Sequence, residues 1–565
     1  MEILVKSLEY FIAKFPYDQR IIDYIKSTVP GSYREYNNQT TEWKIHQYYF
    51  PQFIEYIRNL GIEYRLEIDE KIQPYFSKDD SILDYTSSKT PYYDHQKQAI
   101  KFEMTHQNFI IGDDQGLGKT LELLAFATSL KNKGAKHCLI ICGVAGNVWN
   151  WQQEISIHTN EKSYILGTDI KGNIGGGKDK LESLYYPHEE FFYITNIETL
   201  RLLRKKEGRK YVYPIVEMIN TMVKVGQISL IAIDECHKVK NPESQQGKAL
   251  LKLVCPRKAM LSGTLVMNNP LDLYVPLCWM GIIPNNYYRF KQEFCQFGGF
   301  GGVEVVGYKN QSKLKQLLSP IYLRRKKEEV LDLPPKIFTD EIIKLNEQQM
   351  VGYNTIQNGL QQNVNRIMFS DNPLSTMLKL REFLDDPSIV EMNRIPSPKY
   401  ERLKELLDNI FDNDESQVII YSQWSRITRT VRDIMKQIYK NVSYIDGEVP
   451  QEDRMSEMNK FQCGTNKIII GTIGAMGTGF TLNKATDVIF IDEPWNMAIK
   501  NQAIDRAHRI GTKYPVNIHT LICKHTIDER IHDLIRRKGE VAEDLLSTDN
   551  PKLTNEDIRY LIGLD

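Results

Sequence analysis

The sequence predicts an α/β protein with two parallel sheets covered by helices, and two features point there first. Short, apolar, β-rich runs alternate with helical patterns over two long segments, as in parallel strands buried on both faces. One run, in "NFIIGDDQGLGKTLELLAFA", leads through the glycine-rich stretch 111–120 into a helical pattern. That strand–loop–helix order suits a phosphate site at the edge of such a sheet. Two sheets imply two α/β domains, and 565 residues leave room for about three or four domains of ~100–200 residues.

Taken in order, residues 1–88 are a separate unit dense in Tyr and Ile, expected to be α+β. Its stretch 8–64 reads as strand, helix, hairpin, helix. Tyr17, Trp43 and Ile45 are expected in its core. Arg20, Lys26, Arg34 and Lys44 could track phosphates, although a solvated face reads equally well. The stretch "SKDDSILDYTSSKTP" (77–91) reads as a linker. The first α/β domain, 89–299, takes strands from "HCLIIC" (137–142), "FFYITN" (191–196), "LIAIDE" (230–235) and "AMLSGT" (259–264), with "LGTDIKGNIGGGKDK" (166–180) the nearest thing to a flexible insert. Residues 300–396 carry helical pattern and are expected to be a helical insertion between the domains. The second domain, 397–545, takes "QVIIYS" (417–422), "KIIIGT" (467–472), "DVIFIDE" (487–493) and "VNIHTLI" (516–522). Residues 546–565 are left as a tail.

Composition narrows the functional classes. With 72 Lys+Arg against 72 Asp+Glu there is no global basic field, so any nucleic-acid contact must come from local patches. No apolar run reaches the ~18 residues of a membrane span, and the charged N-terminus is unlike a signal peptide. Eight scattered cysteines suit reduced, buried thiols in a cytoplasmic protein. A monomer is the default expectation.

Three motifs carry chemistry. In the loop, Gly116 and Gly118 let backbone N–H groups turn onto phosphate oxygens, Lys119 would neutralise the β/γ-phosphates, and Thr120 would hold magnesium. Asp113 stands where the usual pattern has its first glycine. "IAIDECHKVKN" (231–241) ends an apolar strand in two acids, at the sheet edge where active sites gather. Asp234 would hold magnesium and Glu235 would orient or deprotonate water; paired acids in that position are also common as solvated turn residues. "NQAIDRAHRIGT" (501–512) puts Arg506 and Arg509 three apart, on one face of a helix, suited to a nucleotide's terminal phosphate. A solvated basic face is the commoner meaning of Arg-x-x-Arg alone.

Together, in this order, these motifs resemble a superfamily 2 helicase core, closest to the Swi/Snf branch of double-stranded DNA translocases. That branch reads Asp-Glu-Met-Gly-Leu-Gly-Lys-Thr at this loop, which makes Asp113 a family feature. "YYDHQKQAI" (92–100), "VWNWQQEI" (148–155), "LSGTLVMNNPLDLY" (261–274), "YLRRKKEEVLDLPPK" (322–336), "YSQW" (421–424), "IDGEVPQEDR" (445–454) and "DEPWNMAIKNQAIDRAHRIG" (492–511) agree. Departures are Asp114 and Gln115 in the loop, and Gly143 and Leu265, each where a proline is usual. "FCQFGG" (294–299), "GTGFTL" (477–482) and residues 8–64 further resemble the annealing-helicase subgroup with its HARP module.

The resemblance implies two RecA-like P-loop lobes with ATP and magnesium between them. It places Gln96 on the adenine, and Asp113, Gly116, Leu117, Gly118, Lys119 and Thr120 around the phosphates. Asp234 and Glu235 complete the first lobe, and Gln502, Arg506 and Arg509 serve from the second. Thr264 would couple the nucleotide and DNA sites. The implied partner is double-stranded or branched DNA, remodelled in replication, recombination or repair. A strand-separating DNA or RNA helicase, or a motor displacing DNA-bound proteins, is the alternative.

Overall fold

The computed structural model describes residues 1–5, 10–29, 34–46, 50–69, 88–143, 146–186, 188–208, 210–263, 270–298, 304–362, 373–390, 392, 394–477, 481–495, 497–541 and 555–564. The chain forms two compact units, Met1–Val330 and Leu331–Asp565.

The first unit begins with a five-stranded sheet in the order Arg34–Asn37, Glu42–His46, Tyr10–Lys14, Glu2–Val5, Arg65–Ile68. Neighbours are antiparallel except the last pair, which is parallel. Alternate residues Phe11, Ala13, Trp43 and Ile45 face Ile21, Ile25, Phe53 and Ile57 of two helices, Gln19–Thr28 and Phe50–Asn59. The expected strand, helix, hairpin and helix are there; a further strand lies outside each end of that stretch. Trp43 and Ile45 are core, but Tyr17 is not: it is 82% exposed, just before the Asp18 helix cap, with its hydroxyl donating to Gln19. Arg34 donates to the carbonyls of Ile25 and Val29, closing the end of the first helix. Arg20 pairs with Asp18, and Lys44 lies 4.2 Å over the Tyr10 ring. Most of the expected linker, 77–87, lies outside the described residues.

The second part of this unit is a seven-stranded parallel sheet. Its order is Tyr322–Leu323, Asn108–Ile111, Arg257–Leu261, Ile228–Asp234, His137–Cys142, Phe192–Asn196, Ser163–Ile165. The strands are almost wholly apolar because both faces are buried. Ile110, Leu139, Ile141, Ile231 and Met260 enter one core layer; Phe109, Ile111, Ile140, Leu230 and Ala259 enter the other. Within 166–180, Asp169 accepts from the N–H groups of Lys171 and Asn173 and a helix covers Gly177–Glu182, so the expected flexible insert is a tied turn. Cys138 and Cys142 are free, buried thiols.

The second unit holds a six-stranded parallel sheet ordered Lys336–Ile343, Val516–Cys523, Asp487–Phe490, Val418–Ser422, Ile468–Thr472, Val442–Ile445. Two core layers again flank it. The stretch 300–396, expected as a helical insertion, is instead divided between the units. Tyr322–Leu323 completes the first sheet, Lys336–Ile343 is an edge strand of the second, and Tyr353, Leu380 and Phe383 pack into the second core. The expected tail ends in a helix, Asn555–Leu561, whose Ile558 and Leu561 are buried in that core, with Ile562 just beyond. Among the described residues no helix is long and apolar enough to cross a membrane.

Candidate nucleotide site

The phosphate loop leaves the strand Asn108–Ile111 and enters the helix Lys119–Asn132. Gly116 and Gly118 have φ of 85° and 90°, a left-handed backbone that a side chain disfavours. A Cβ on Gly118 would lie 2.2 Å from Gln96 Nε2. Lys119 folds over the loop, its ammonium donating to the carbonyls of Asp113 (2.6 Å) and Asp114 (3.1 Å). Leu117 is fully buried and offers only its backbone; its carbonyl accepts from Gln96 Nε2 at 3.1 Å and lies 3.0 Å from His95 Nε2. Gln96 Oε1 accepts from the Tyr93 N–H at 3.0 Å. One end of the Gln96 amide therefore already braces the loop and the other caps its own helix at Tyr93, and an adenine contact would use its remaining N–H and lone pair. Asp113 differs from expectation: its carboxylate is 0% exposed and accepts from Arg325. It points into the protein core and does not line a phosphate site.

Asp234 is the last residue of its strand. Its Oδ2 accepts from the Trp151 indole at 2.9 Å and its Oδ1 from the Glu235 N–H at 2.9 Å. Burial, then the neighbouring Glu235, raise its carboxyl to about 6. Glu235 sits at φ 50°, an uncommon backbone for a non-glycine residue and one that concentrates at functional sites. His237 Nδ1 lies 3.2 Å from Glu235 Oε2 and 3.1 Å from Ser262 Oγ, linking the acids to "LSGT". Gly143 explains its own departure from the family pattern. Its N–H donates to the Asp234 carbonyl at 2.8 Å, a bond proline cannot make, and a Cβ would meet Glu235 O at 2.6 Å. Thr264 and Leu265 lie outside the described residues.

In the second unit the helix Met497–Ile504 carries Gln502 but stops before both arginines. The expectation of one helical face for Arg506 and Arg509 is therefore corrected: they lie in turns after the helix. Arg506 Nε donates to Gly477 O at 3.0 Å, and Arg509 Nη1 to Thr481 Oγ1 at 2.7 Å. Gly511, at φ 94°, closes the turn against Asn483, whose amide donates to Ile510 O.

Trp151, His237, Ser262 and Arg325 had no assigned role in the sequence. "WNWQQEI", "DECH", "LSGT" and "YLRRKK" contain one of them each, but nothing in linear spacing says that the Trp151 indole reaches Asp234.

Two tandem sheets, a phosphate loop on the first and a paired-arginine segment on the second define a helicase-like ATPase core. The SNF2-related domain matches residues 84–389 and the helicase conserved C-terminal domain matches residues 398–511. The chain belongs to the SNF2-related family of Swi/Snf-type superfamily 2 helicase-like ATPases. A "putative ATP-dependent helicase/translocase YwqA" of Bacillus subtilis is 26% identical over 80% of this chain and 48% of its own length. The mouse "DNA annealing helicase and endonuclease ZRANB3" is 25% identical over 81% of this chain and 41% of its own. An "ISWI chromatin-remodeling complex ATPase ISW1" of Saccharomyces cerevisiae is also 25% identical, over 82% and 41%. The chain thus spans about half or less of these relatives' lengths.

Proposed function

We propose that the chain hydrolyses ATP to move along double-stranded DNA and remodels branched or forked DNA without net strand separation. The observation that carries the ATPase part is the arrangement at one edge of the first sheet. Lys119, on its glycine-turned loop, and Asp234, fixed at both oxygens beside Glu235, follow the carboxyl ends of Asn108–Ile111 and Ile228–Asp234, the two strands that flank Arg257–Leu261 in one parallel sheet.

ATP is the substrate of this reading, with magnesium as cofactor. The donor set fits the ion: Asp234 and Thr120 offer hard oxygens, and a carboxyl raised by burial and by a second acid is a place where a cation relieves charge. Magnesium there would screen the nucleotide's phosphates. Lys119 leaves its loop carbonyls for the β/γ-phosphates, and Glu235 orients water with its carboxylate oriented in turn by His237. Gln502, Arg506 and Arg509 serve as the second unit's contribution, the arginines supplying transition-state charge stabilisation.

The fork-acting part rests on the resemblance of residues 8–64 to a HARP module and on the annealing activity in the mouse relative's name. The other relatives' names differ at similar identity, and one experiment separates the readings. On one forked substrate at fixed, moderate salt, ATP-dependent re-annealing without unwinding is the expected result. Net unwinding would favour a strand-separating helicase, and displacement of a bound protein without re-annealing would favour a protein-stripping motor.

A further inference from the structure

The segment Tyr322–Lys327 lies along the phosphate loop and is bonded to it residue by residue. Gly112 N–H donates to Leu323 O at 2.7 Å, and Asp114 N–H to Arg325 O at 3.1 Å. The Lys327 N–H donates to Asp114 Oδ2 at 3.0 Å. The Tyr322 ring covers Gly112 so closely that a Cβ there would be 2.1 Å from it. Arg325 binds hardest. Its N–H donates to Asp113 Oδ1 and its Nε to Asp113 Oδ2, each at 3.0 Å. Nη2 reaches the same Asp113 oxygen and Glu122 Oε1 (3.2 Å), while Nη1 donates to the carbonyl of His95.

This cluster is buried. Asp113, Glu122 and Glu103 are 0% exposed and Arg325 is 8% exposed. Neither oxygen of Glu103 has a hydrogen-bond partner among the described residues. Burial pushes Glu103 and Glu122 well up, toward their neutral forms, and Asp113 meets Arg325 with both oxygens, Oδ1 at the backbone N–H and Oδ2 at two guanidinium nitrogens. A buried arginine fork of this kind fixes orientation as well as charge. It grips both walls of the site, because Asp113 begins the loop and His95 and Gln96 brace Leu117 behind it.

Resting on the ATPase reading above, we propose that Arg325 is a positioning residue for nucleotide binding. Through Asp113 and the His95 carbonyl it holds the phosphate loop in the shape that presents Lys119 and the loop N–H groups to phosphate. Asp113 replaces the usual first glycine because it is the receptor for this strap.

The test uses the full-length protein and four variants: Arg325→Met, Arg325→Lys, Asp113→Asn and Asp113→Gly. ATP KM and kcat, equilibrium binding of a fluorescent ADP analogue, and thermal unfolding are measured on each. Arg325→Met should raise KM and the analogue's Kd by about 10-fold or more, the scale of losing charge-assisted bonds in a buried site. Arg325→Lys should recover part of that, since it restores the charge without the fork. Asp113→Gly, which recreates the commoner loop pattern, should be worse than Asp113→Asn, which keeps one acceptor oxygen. Unchanged KM and Kd, with kcat falling only as the folded fraction falls, would overturn the proposal. Should Arg325→Met not fold, the ranking of the two Asp113 variants decides it the same way. A parent protein that hydrolyses no ATP would instead sink the ATPase reading, while the analogue's binding would still report on the strap.

Discussion

Both oxygens of Asp234 are spoken for by the protein, one by the Trp151 indole and one by a backbone N–H. Such anchoring sets the direction of the carboxylate before any ligand arrives, which is how a site avoids reorganising during reaction. Trp151→Phe keeps most of the buried ring and removes the donor. It should lower kcat about 10-fold with little change in folding, the scale of one bond to a charged group; steady-state ATPase kinetics check it. Lys119→Ala should lower DNA-stimulated hydrolysis by at least about 100-fold, in line with losing a principal charge-stabilising donor. Normal turnover in that variant would overturn the assignment. Arg509→Ala should lose hydrolysis while nucleotide binding stays largely intact. Equal loss of both would mean that its bond to Thr481 is all it does.

At the scale of elements, the second unit is pinned by buried charges under its sheet. Lys399, fully buried, lies 2.7 Å from Asp385 and 2.8 Å from Asp528. Lys399→Met strands two buried acids, and chemical denaturation should show a loss of about 3–5 kcal/mol. Two histidines add a pH term. Burial pulls His519 down, but hydrogen bonds to Asp487 and Glu341 outweigh it and raise it above its ordinary value. His532 is raised chiefly by its bond to Glu493. A raised histidine contributes stability that is fully present below its unfolded pKa, about 6.5, and is lost as pH rises through the higher folded value. The double variant His519→Gln/His532→Gln should therefore lose more stability relative to the parent at pH 6 than at pH 8.5. An equal loss at both would contradict the shifts.

Elements also show what the sequence could and could not reveal. The eight strands read from apolar runs are all present, because a strand buried on both faces announces itself locally. The loop and the Asp234–Glu235 pair were equally legible, since their chemistry lies within a few consecutive residues. The Arg325–Asp113 pair was not: its partners are 212 residues apart, and the resemblance of "YLRRKKEEVLDLPPK" to the family says nothing of which residue Arg325 meets. Arg506 and Arg509 have helical spacing, yet tight turns that end with Gly511 override it. Tyr17 has a core-type side chain, but the helix cap beside it turns the chain outward. The strand Lys336–Ile343 was missed because, as an edge strand, it leaves Phe338 and Ile342 exposed and lacks a continuous apolar run.

For the whole molecule, the proposed N-terminal DNA-handling role predicts a separation of activities. Deleting residues 1–88 should reduce work on forked DNA more than it reduces DNA-stimulated ATP hydrolysis. Unchanged fork activity would remove the functional content of that module. The central claim, a motor driven by ATP on double-stranded DNA, is tested most directly by one measurement. ATP hydrolysis by the purified chain is compared at fixed, moderate salt with no nucleic acid, single-stranded DNA, duplex DNA, forked DNA and duplex RNA. Strong stimulation by duplex or forked DNA, with little from RNA, is the result the account predicts. Stimulation by single strands alone, or by RNA, would contradict it.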